Sequence, residues 1–236
     1  MSKRGFLVVA LAAALVAPAT ALALTRMVPR GTASYLLGPR MIRAEILLKT
    51  KDGAQHDFWL DRGRLQRRYA RGTLVILERD GPRSVRTASS AQVTLNGKPS
   101  NLRALRPGMQ LIVSHDRDLP ADTVYASTPR RTLKIPRAVS SFLLGPRMFR
   151  AEIPLETADG VTHDFRLDQG RIRQITPVTI SLREADGTVE TIPLSAFVRV
   201  KVNGQTANFA QLRRGMTATT MRDGDKPADQ IWASGK

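Results

Sequence analysis

The sequence predicts an all-β protein: two tandem small β-barrel domains, OB-like or SH3-like, behind a signal peptide. Three observations predict it. Ser34-Tyr-Leu-Leu-Gly-Pro-Arg-Met41 returns as Ser141-Phe-Leu-Leu-Gly-Pro-Arg-Met148, displaced by 107 residues. Apolar and polar residues alternate at period two, the strand signal, and the runs are broken by Asp-Gly and Asn-Gly pairs that favour tight hairpins. Long amphipathic helices are absent from the pattern.

The leader comes first. Lys3 and Arg4 precede the uncharged run Phe6–Val16, Pro18 breaks it, and Ala21-Leu22-Ala23 supplies the small residues read by a signal peptidase. Residues 1–23 therefore read as a signal peptide cleaved near Ala23, and the protein as secreted or extracytoplasmic, in periplasm or cell wall. An uncleaved anchor is the alternative, but the run falls short of the ~20 apolar residues that span a bilayer. Residues 24–33 form an N-terminal linker.

The repeat defines the rest. With a shift of 107, residues 34–66 match 141–173 at 22 of 33 positions, and 93–127 match 200–234 at 15 of 35. Repeat 1 spans 34–127 and repeat 2 spans 141–236. Residues 128–140, with two prolines and four basic residues, form a basic linker. The chain has no cysteine, so no disulfide supports either unit, and each must fold on its core.

Repeat 2 shows the strand order most cleanly. Ala151, Ile153 and Leu155 share a face, and Asp159-Gly160 turns. His163, Phe165 and Leu167 share the next face, Asp168-Gln-Gly170 reads as a turn, and a new strand begins at Gly170. Val178, Ile180 and Leu182 alternate with polar residues up to Asp186-Gly187. Val189–Leu194 and Val198–Val202 read as further strands before Asn203-Gly204. Asn208–Gly215 is one helical turn, with Asn208 as its cap and Gly215 as its stop. Met216–Met221 and Gln230–Ala233 are the last strands. Repeat 1 follows the same plan, with turns at Asp52-Gly53, Asp80-Gly81 and Asn96-Gly97 and a helical turn at Asn101–Gly108. Six or seven short strands with one short helix suit a small closed barrel, with a sandwich as the alternative.

Val200-Lys-Val-Asn-Gly-Gln-Thr-Ala-Asn-Phe-Ala-Gln-Leu-Arg-Arg-Gly-Met216 resembles the V-x-V-N-G-x-x-A-x-L-x-x-L-x-x-G-M stretch of small bacterial extracytoplasmic domains of unknown function. The likeness includes the preceding hairpin, Val178–Leu194, and covers about half of each repeat. It implies an all-β barrel of a secreted bacterial protein and says little of activity.

No catalytic, cofactor-binding or metal-binding set is expected. His56 and His163 occupy matching sites, each beside a phenylalanine face, and read as hydrogen-bonded rim residues of the core. Neither has a cysteine or second histidine nearby to complete a zinc site. Asp223, Asp225 and Asp229 lack the spacing of a calcium loop. Ser34, Ser141, Ser89 and Ser90 lack a nucleophile-elbow context. Leu36–Met41 and its copy read as a segment closing a barrel end, with Arg40 and Arg147 exposed on a Gly-Pro corner.

Charge is the uneven feature. The formal net charge is +17; repeat 1 carries 16 basic and 9 acidic residues, and repeat 2 carries 13 and 11. Arg62, Arg64, Arg67, Arg68 and Arg71 cluster in repeat 1, near Tyr69 and an outward-facing Trp59. With Arg40 and Arg147 these form the candidate contact surface. The expectation is an exported, non-catalytic protein acting by surface contact in or outside the cell envelope. One alternative is a polyanion binder working through repeat 1. A second is an envelope hydrolase using His56 or His163 as base. Anionic envelope polymers, lipid head groups or a protein are the expected partners, and nucleic acid is not.

Overall fold

The computed structural model describes residues 27–70 and 72–235. The expected signal peptide, residues 24–26 of the expected N-terminal linker, Arg71 and Lys236 lie outside the described residues. The first half comprises α1 (Arg30–Leu36), β1 (Arg43–Lys49), β2 (Gln55–Arg68), β3 (Thr73–Glu78), β4 (Gly81–Leu95), β5 (Lys98–Ser100), β6 (Gln110–Asp116) and β7 (Ala121–Ser127). The second half repeats the order: α2 (Arg137–Leu143), β8 (Met148–Glu156), β9 (Thr162–Ile175), β10 (Thr179–Glu184), β11 (Val189–Val202), β12 (Gln205–Ala207), β13 (Thr217–Asp223) and β14 (Ala228–Ser234). The fold is all-β, as expected. No described helix is long and apolar enough to cross a membrane.

Local chemistry sets the turns. Asn96 and Asn203 adopt positive φ and are followed by Gly97 and Gly204, also positive; two such residues in succession make the turn whose twist matches a hairpin. The expected helical turns are short 3-10 segments, Leu102–Ala104 and Phe209–Gln211. Asn101 Oδ1 accepts from the Ala104 amide at 3.2 Å, and the Gln211 side chain accepts from the Asn208 amide at 2.8 Å.

Two sequence expectations change here. Asp61-Arg-Gly63 and Asp168-Gln-Gly170 are not turns but the middles of the long strands β2 and β9. Their glycines permit a close approach: a Cβ on Gly63 would lie 2.6 Å from the Leu77 carbonyl oxygen, and one on Gly170 would strike that of Arg183. Likewise β11 runs unbroken from Val189 to Val202, its ladder to β14 shifting between Leu194 and Arg199. The shift leaves Phe197 89% exposed.

The strands join in one 14-stranded mixed sheet rather than two tandem barrels standing apart. Within repeat 1 the pairings run β2–β3–β4–β7–β6 and return to β2; within repeat 2 they run β9–β10–β11–β14–β13 and return to β9. Only β4–β7 and β11–β14 are parallel. Each ring encloses an apolar core, one around Leu65, Leu74, Ile76 and Leu111, the other around Ile172, Ile180, Leu182 and Ile231.

What joins them is the pairing of β1 with β8. Its ladder sets Glu45 against Glu152, the same position in both repeats, so the two halves meet across a local two-fold axis. Each strand would otherwise leave a row of unpaired backbone groups at an edge. A third apolar cluster fills this seam: Leu36, Leu37, Met41, Ile46, Leu48 and Leu60 from one side, and Leu143, Leu144, Met148, Ile153, Leu155 and Leu167 from the other. The Leu-Leu-Gly-Pro-Arg-Met segments are buried as expected, but at the seam between repeats.

The helices α1 and α2, unexpected from the sequence, sit beside this seam. Pro29 and Pro136 precede them, and their carbonyls accept from the Ala33 and Ser140 amides at 2.9 and 3.1 Å. Gly38 and Gly145 end each helix, where a Cβ on Gly38 would lie 2.7 Å from the Ser34 carbonyl oxygen. The linker also packs down: Leu133 and Ile135 are buried in the seam cluster. The linker is thus pinned to the seam by these two side chains rather than free along its length.

Candidate anion-binding clefts

The predicted contact residues divide on β2. Arg64, Arg67, Arg68 and Tyr69 are exposed. Arg67 donates to the Tyr69 hydroxyl at 3.2 Å and lies over its ring at 5.7 Å. Arg62 points the other way, onto the seam. It donates to the carbonyls of Gly38 at 3.2 Å and Leu133 at 2.9 Å. Burial lowers its pKa to about 10. Arg62 is therefore a clamp that ties the helix exit and the linker to β2, a correction to its expected role in contact. Gln169 takes the same place in repeat 2: its Nε2 donates to the Pro146 carbonyl at 3.0 Å and its Oε1 accepts from the Thr219 hydroxyl at 2.8 Å.

Trp59 also differs from expectation. It is half-buried rather than outward-facing. Its indole donates to Asp57 Oδ1 at 2.9 Å, and Arg83 lies over its ring at 5.4 Å. The long β2 turns its odd-numbered side toward the repeat 1 ring, and that register puts Trp59 beside Asp61.

Arg40 and Arg147 occupy matching clefts on either side of the two-fold axis. The first cleft, about 640 Å³, is lined by Arg40, Arg62, Arg64, Glu78, Arg79 and, from repeat 2, Glu156. The second, about 440 Å³, is lined by Arg147, Gln169, Arg171, Arg183, Glu184 and, from repeat 1, Lys49. Arg79 pairs with Glu156 across the first cleft. Among the described residues, Arg40, Arg64, Arg67, Arg68, Arg147, Arg171, Arg183 and Lys49 have no carboxylate within ion-pair distance. Arg64 also borders an adjoining groove of about 760 Å³ with Arg67, Tyr69 and Pro107. The exposed guanidiniums thus run from the seam to Tyr69.

Behind each cleft lies a buried acid pair that sequence reasoning missed. In repeat 1, Asp61 accepts from His115 Nε2 at 2.9 Å and lies 3.2 Å from Arg83 Nε. Glu78 stands beside it, 4.0 Å from Arg43. In repeat 2, Glu184 accepts from Arg150 at 2.7 Å, and Asp168 lies 3.4 Å from Arg222 and 3.8 Å from Arg150. One oxygen of each of these four carboxyls lacks a hydrogen-bond partner among the described residues. Desolvation pushes Glu78 and Glu184 up to about 7, helped by Asp61 and Asp168 respectively, and it also raises Asp168. Burial disfavours a charged His115, yet its bonds to Asp61 and the Arg117 carbonyl leave its pKa raised. The signal was available in the self-comparison, which retains Asp61 and Asp168, but a Gly two residues on suggested a turn.

The histidines at matching sites form matching pairs. His56 Nδ1 lies 2.8 Å from Asp116 Oδ2, and His163 Nδ1 lies 2.9 Å from Asp223 Oδ2. Each ring stacks on its neighbouring phenylalanine, Phe58 or Phe165. This is the hydrogen-bonded rim position expected from alternation. Among the described residues no group of three or more His, Asp or Glu is arranged to hold a metal.

No protein-family model matches the chain. No curated protein matches it either. Among solved structures, a deletion mutant of the single-stranded DNA binding protein from Thermus aquaticus aligns over 84% of this chain and 93% of that one, at 12% identity and a TM-score of 0.17. A likeness that weak carries no argument about fold or ligand.

Proposed function

We propose that this is an exported, non-catalytic tandem β-barrel protein that holds an anionic polymer of the cell envelope by surface contact. The reading of each repeat as an OB-like barrel is supported by its ring of five paired strands, with a short helical turn before the penultimate strand of each repeat. Export rests on the N-terminal pattern of residues 1–23.

The observation that carries the ligand class is the guanidinium track. Arg40, Arg64, Arg67 and Arg68 are exposed and without carboxylate partners among the described residues, and Arg40, Arg64 and Arg67 line two adjoining clefts that reach Tyr69. Guanidinium forks bind phosphate and carboxylate oxygens two at a time. A polyanion so held displaces counterions, and affinity then falls steeply with salt.

The test is binding of the purified protein to isolated cell envelope across a salt series. Affinity should fall at least tenfold between 50 and 200 mM salt, roughly what three or more ionic contacts produce. R64Q/R67Q/R68Q should weaken binding by about tenfold or more and flatten the slope. Binding unaffected by both salt and these substitutions would defeat the proposal and turn attention to a protein partner.

A further inference from the structure

We infer that the cleft of repeat 2 is a second anion-binding site, equivalent by the two-fold axis to the seam end of the track, so that one chain holds two phosphate- or carboxylate-bearing units. This rests on the anionic-ligand reading above and extends it to a surface that net charge disfavours.

The case begins with position. Arg147 and Arg171 are the repeat 2 counterparts of Arg40 and Arg64, displaced by the same 107 residues. They line the same kind of cleft, with Gly170 where the first has Gly63. The glycines matter because only a missing Cβ lets β9 approach β10 and brings Arg171 and Arg183 to one rim.

Charge then favours the second cleft. In the first, Arg79 is already paired with Glu156, and Arg62 spends its guanidinium on two carbonyls. In the second, Lys49 stands at the position matching Glu156, and its ammonium bonds only the Ala185 carbonyl, at 3.3 Å. Lys49, Arg147, Arg171 and Arg183 therefore bring four cations without a carboxylate partner among the described residues. The acid there, Glu184, is buried and already bonded to Arg150. Four like charges gathered along one cleft attract an anion more strongly than the same charges spread over the surface.

The ligand follows from the donors. Arg171 and Arg183 are exposed, and Lys49 and Arg147 half-exposed, so the site is an open rim that takes one anionic group at a time. Phosphate esters and uronic acids share that chemistry, and both occur as repeating units of polymers.

The test is calorimetric titration of the purified protein with tripolyphosphate and, separately, with trigalacturonate. Two sites per chain are expected for whichever probe binds, and the preferred probe identifies phosphate or carboxylate as the natural group. K49Q/R147Q/R171Q/R183Q should remove one site, and R40Q/R64Q the other. K98Q/K201Q, exposed and lining neither cleft, should leave two. Should the fourfold variant fail to fold, R171Q/R183Q should still weaken one site at least fivefold with an unchanged urea midpoint. A single site that the fourfold variant leaves intact would overturn this inference while the track reading stood. Loss of affinity in K98Q/K201Q equal to that in the cleft variants would overturn it as well. Absence of binding to both probes by the unaltered protein, despite salt-sensitive envelope binding, would also overturn it; absence of both kinds of binding would remove the two readings together.

Discussion

Repeat 1 and repeat 2 bury the same acid pair and neutralise it differently. Asp61 leans on His115 and Arg83, whereas Asp168 leans on Arg222 and Arg150. Arg222 occupies the place of His115. A histidine can release its proton when its partner is lost, but an arginine cannot. The same backbone and the same carboxyls therefore give one half an adjustable charge balance and the other a fixed one. Sequence similarity between copies records the shared strands but not this difference.

Four comparisons between the halves would break or sharpen that contrast. The largest effect is expected for Asp168→Asn, which leaves Arg222, only 14% exposed in its side chain, with Glu190 at 3.8 Å in place of its nearer carboxylate. A buried pair broken on one side costs about 3–5 kcal/mol. Asp61→Asn should cost less, about 1–3 kcal/mol, because His115 can become neutral and keep a hydrogen bond to the amide. Urea midpoints of the two variants compare them directly, and equal losses would refute the distinction.

Next comes the seam against the rings. Leu37→Ala and Leu144→Ala empty the shared cluster, while Leu74→Ala and Leu182→Ala each empty one ring. All should lose about 2–5 kcal/mol. Seam variants should lower the stability of both halves in one transition, and ring variants should separate the halves. Hydrogen exchange resolved by repeat would read this out.

A smaller effect is expected from pH. Burial pushes Glu78 and Glu184 up to about 7 in the folded protein, from an ordinary glutamate value of 4.5. Between those values the folded protein holds protons that the unfolded chain has released, so stability falls as pH rises from about 4.5 to 7 and then levels. His115, also raised, adds a fall as pH passes its folded value, in repeat 1 alone. Glu78→Gln should remove about 1–3 kcal/mol of this dependence. Urea midpoints at pH 5 and pH 8 measure it, and a rise in stability over that range would contradict the assignment.

The smallest effect is expected at the histidine pairs. His56→Gln and His163→Gln should each cost about 1 kcal/mol, the worth of one hydrogen bond. Because the two sites match within 0.1 Å in their Nδ1–Asp distances, the two losses should agree. A pair that differs widely would show that one site does more than hold the rim.

Much of this architecture was legible in the sequence, for identifiable reasons. Alternation such as Val178-Thr-Ile-Ser-Leu182 reports a strand because its period is local. Asn96-Gly97 and Asn203-Gly204 report their turns because few other pairs tolerate positive φ twice running. The same logic misread Asp61-Arg-Gly63, since nothing local distinguishes a turn glycine from one that lets two strands touch. Helix α1 was hidden because Arg30–Leu36 has seven residues, too few for a helical period to declare itself. The clefts were half legible. Arg40 and Arg64 were identified with their repeat, but Lys49 enters the repeat 2 cleft from repeat 1. Summing charge repeat by repeat therefore assigned it to the wrong side. Sites that straddle a seam escape any count that stops at a domain boundary.

The seam has one more consequence. Glu45 facing Glu152 marks a self-complementary contact of the kind by which two separate identical subunits would meet. Separate subunits part on dilution, and each cleft, which borrows a residue from the opposite half, would be dismantled with them. Joined in one chain, the halves stay assembled at any concentration. Fusion also lifts the rule that both clefts be identical. Lys49 on one side and Glu156 on the other is an asymmetry that no symmetric dimer could hold.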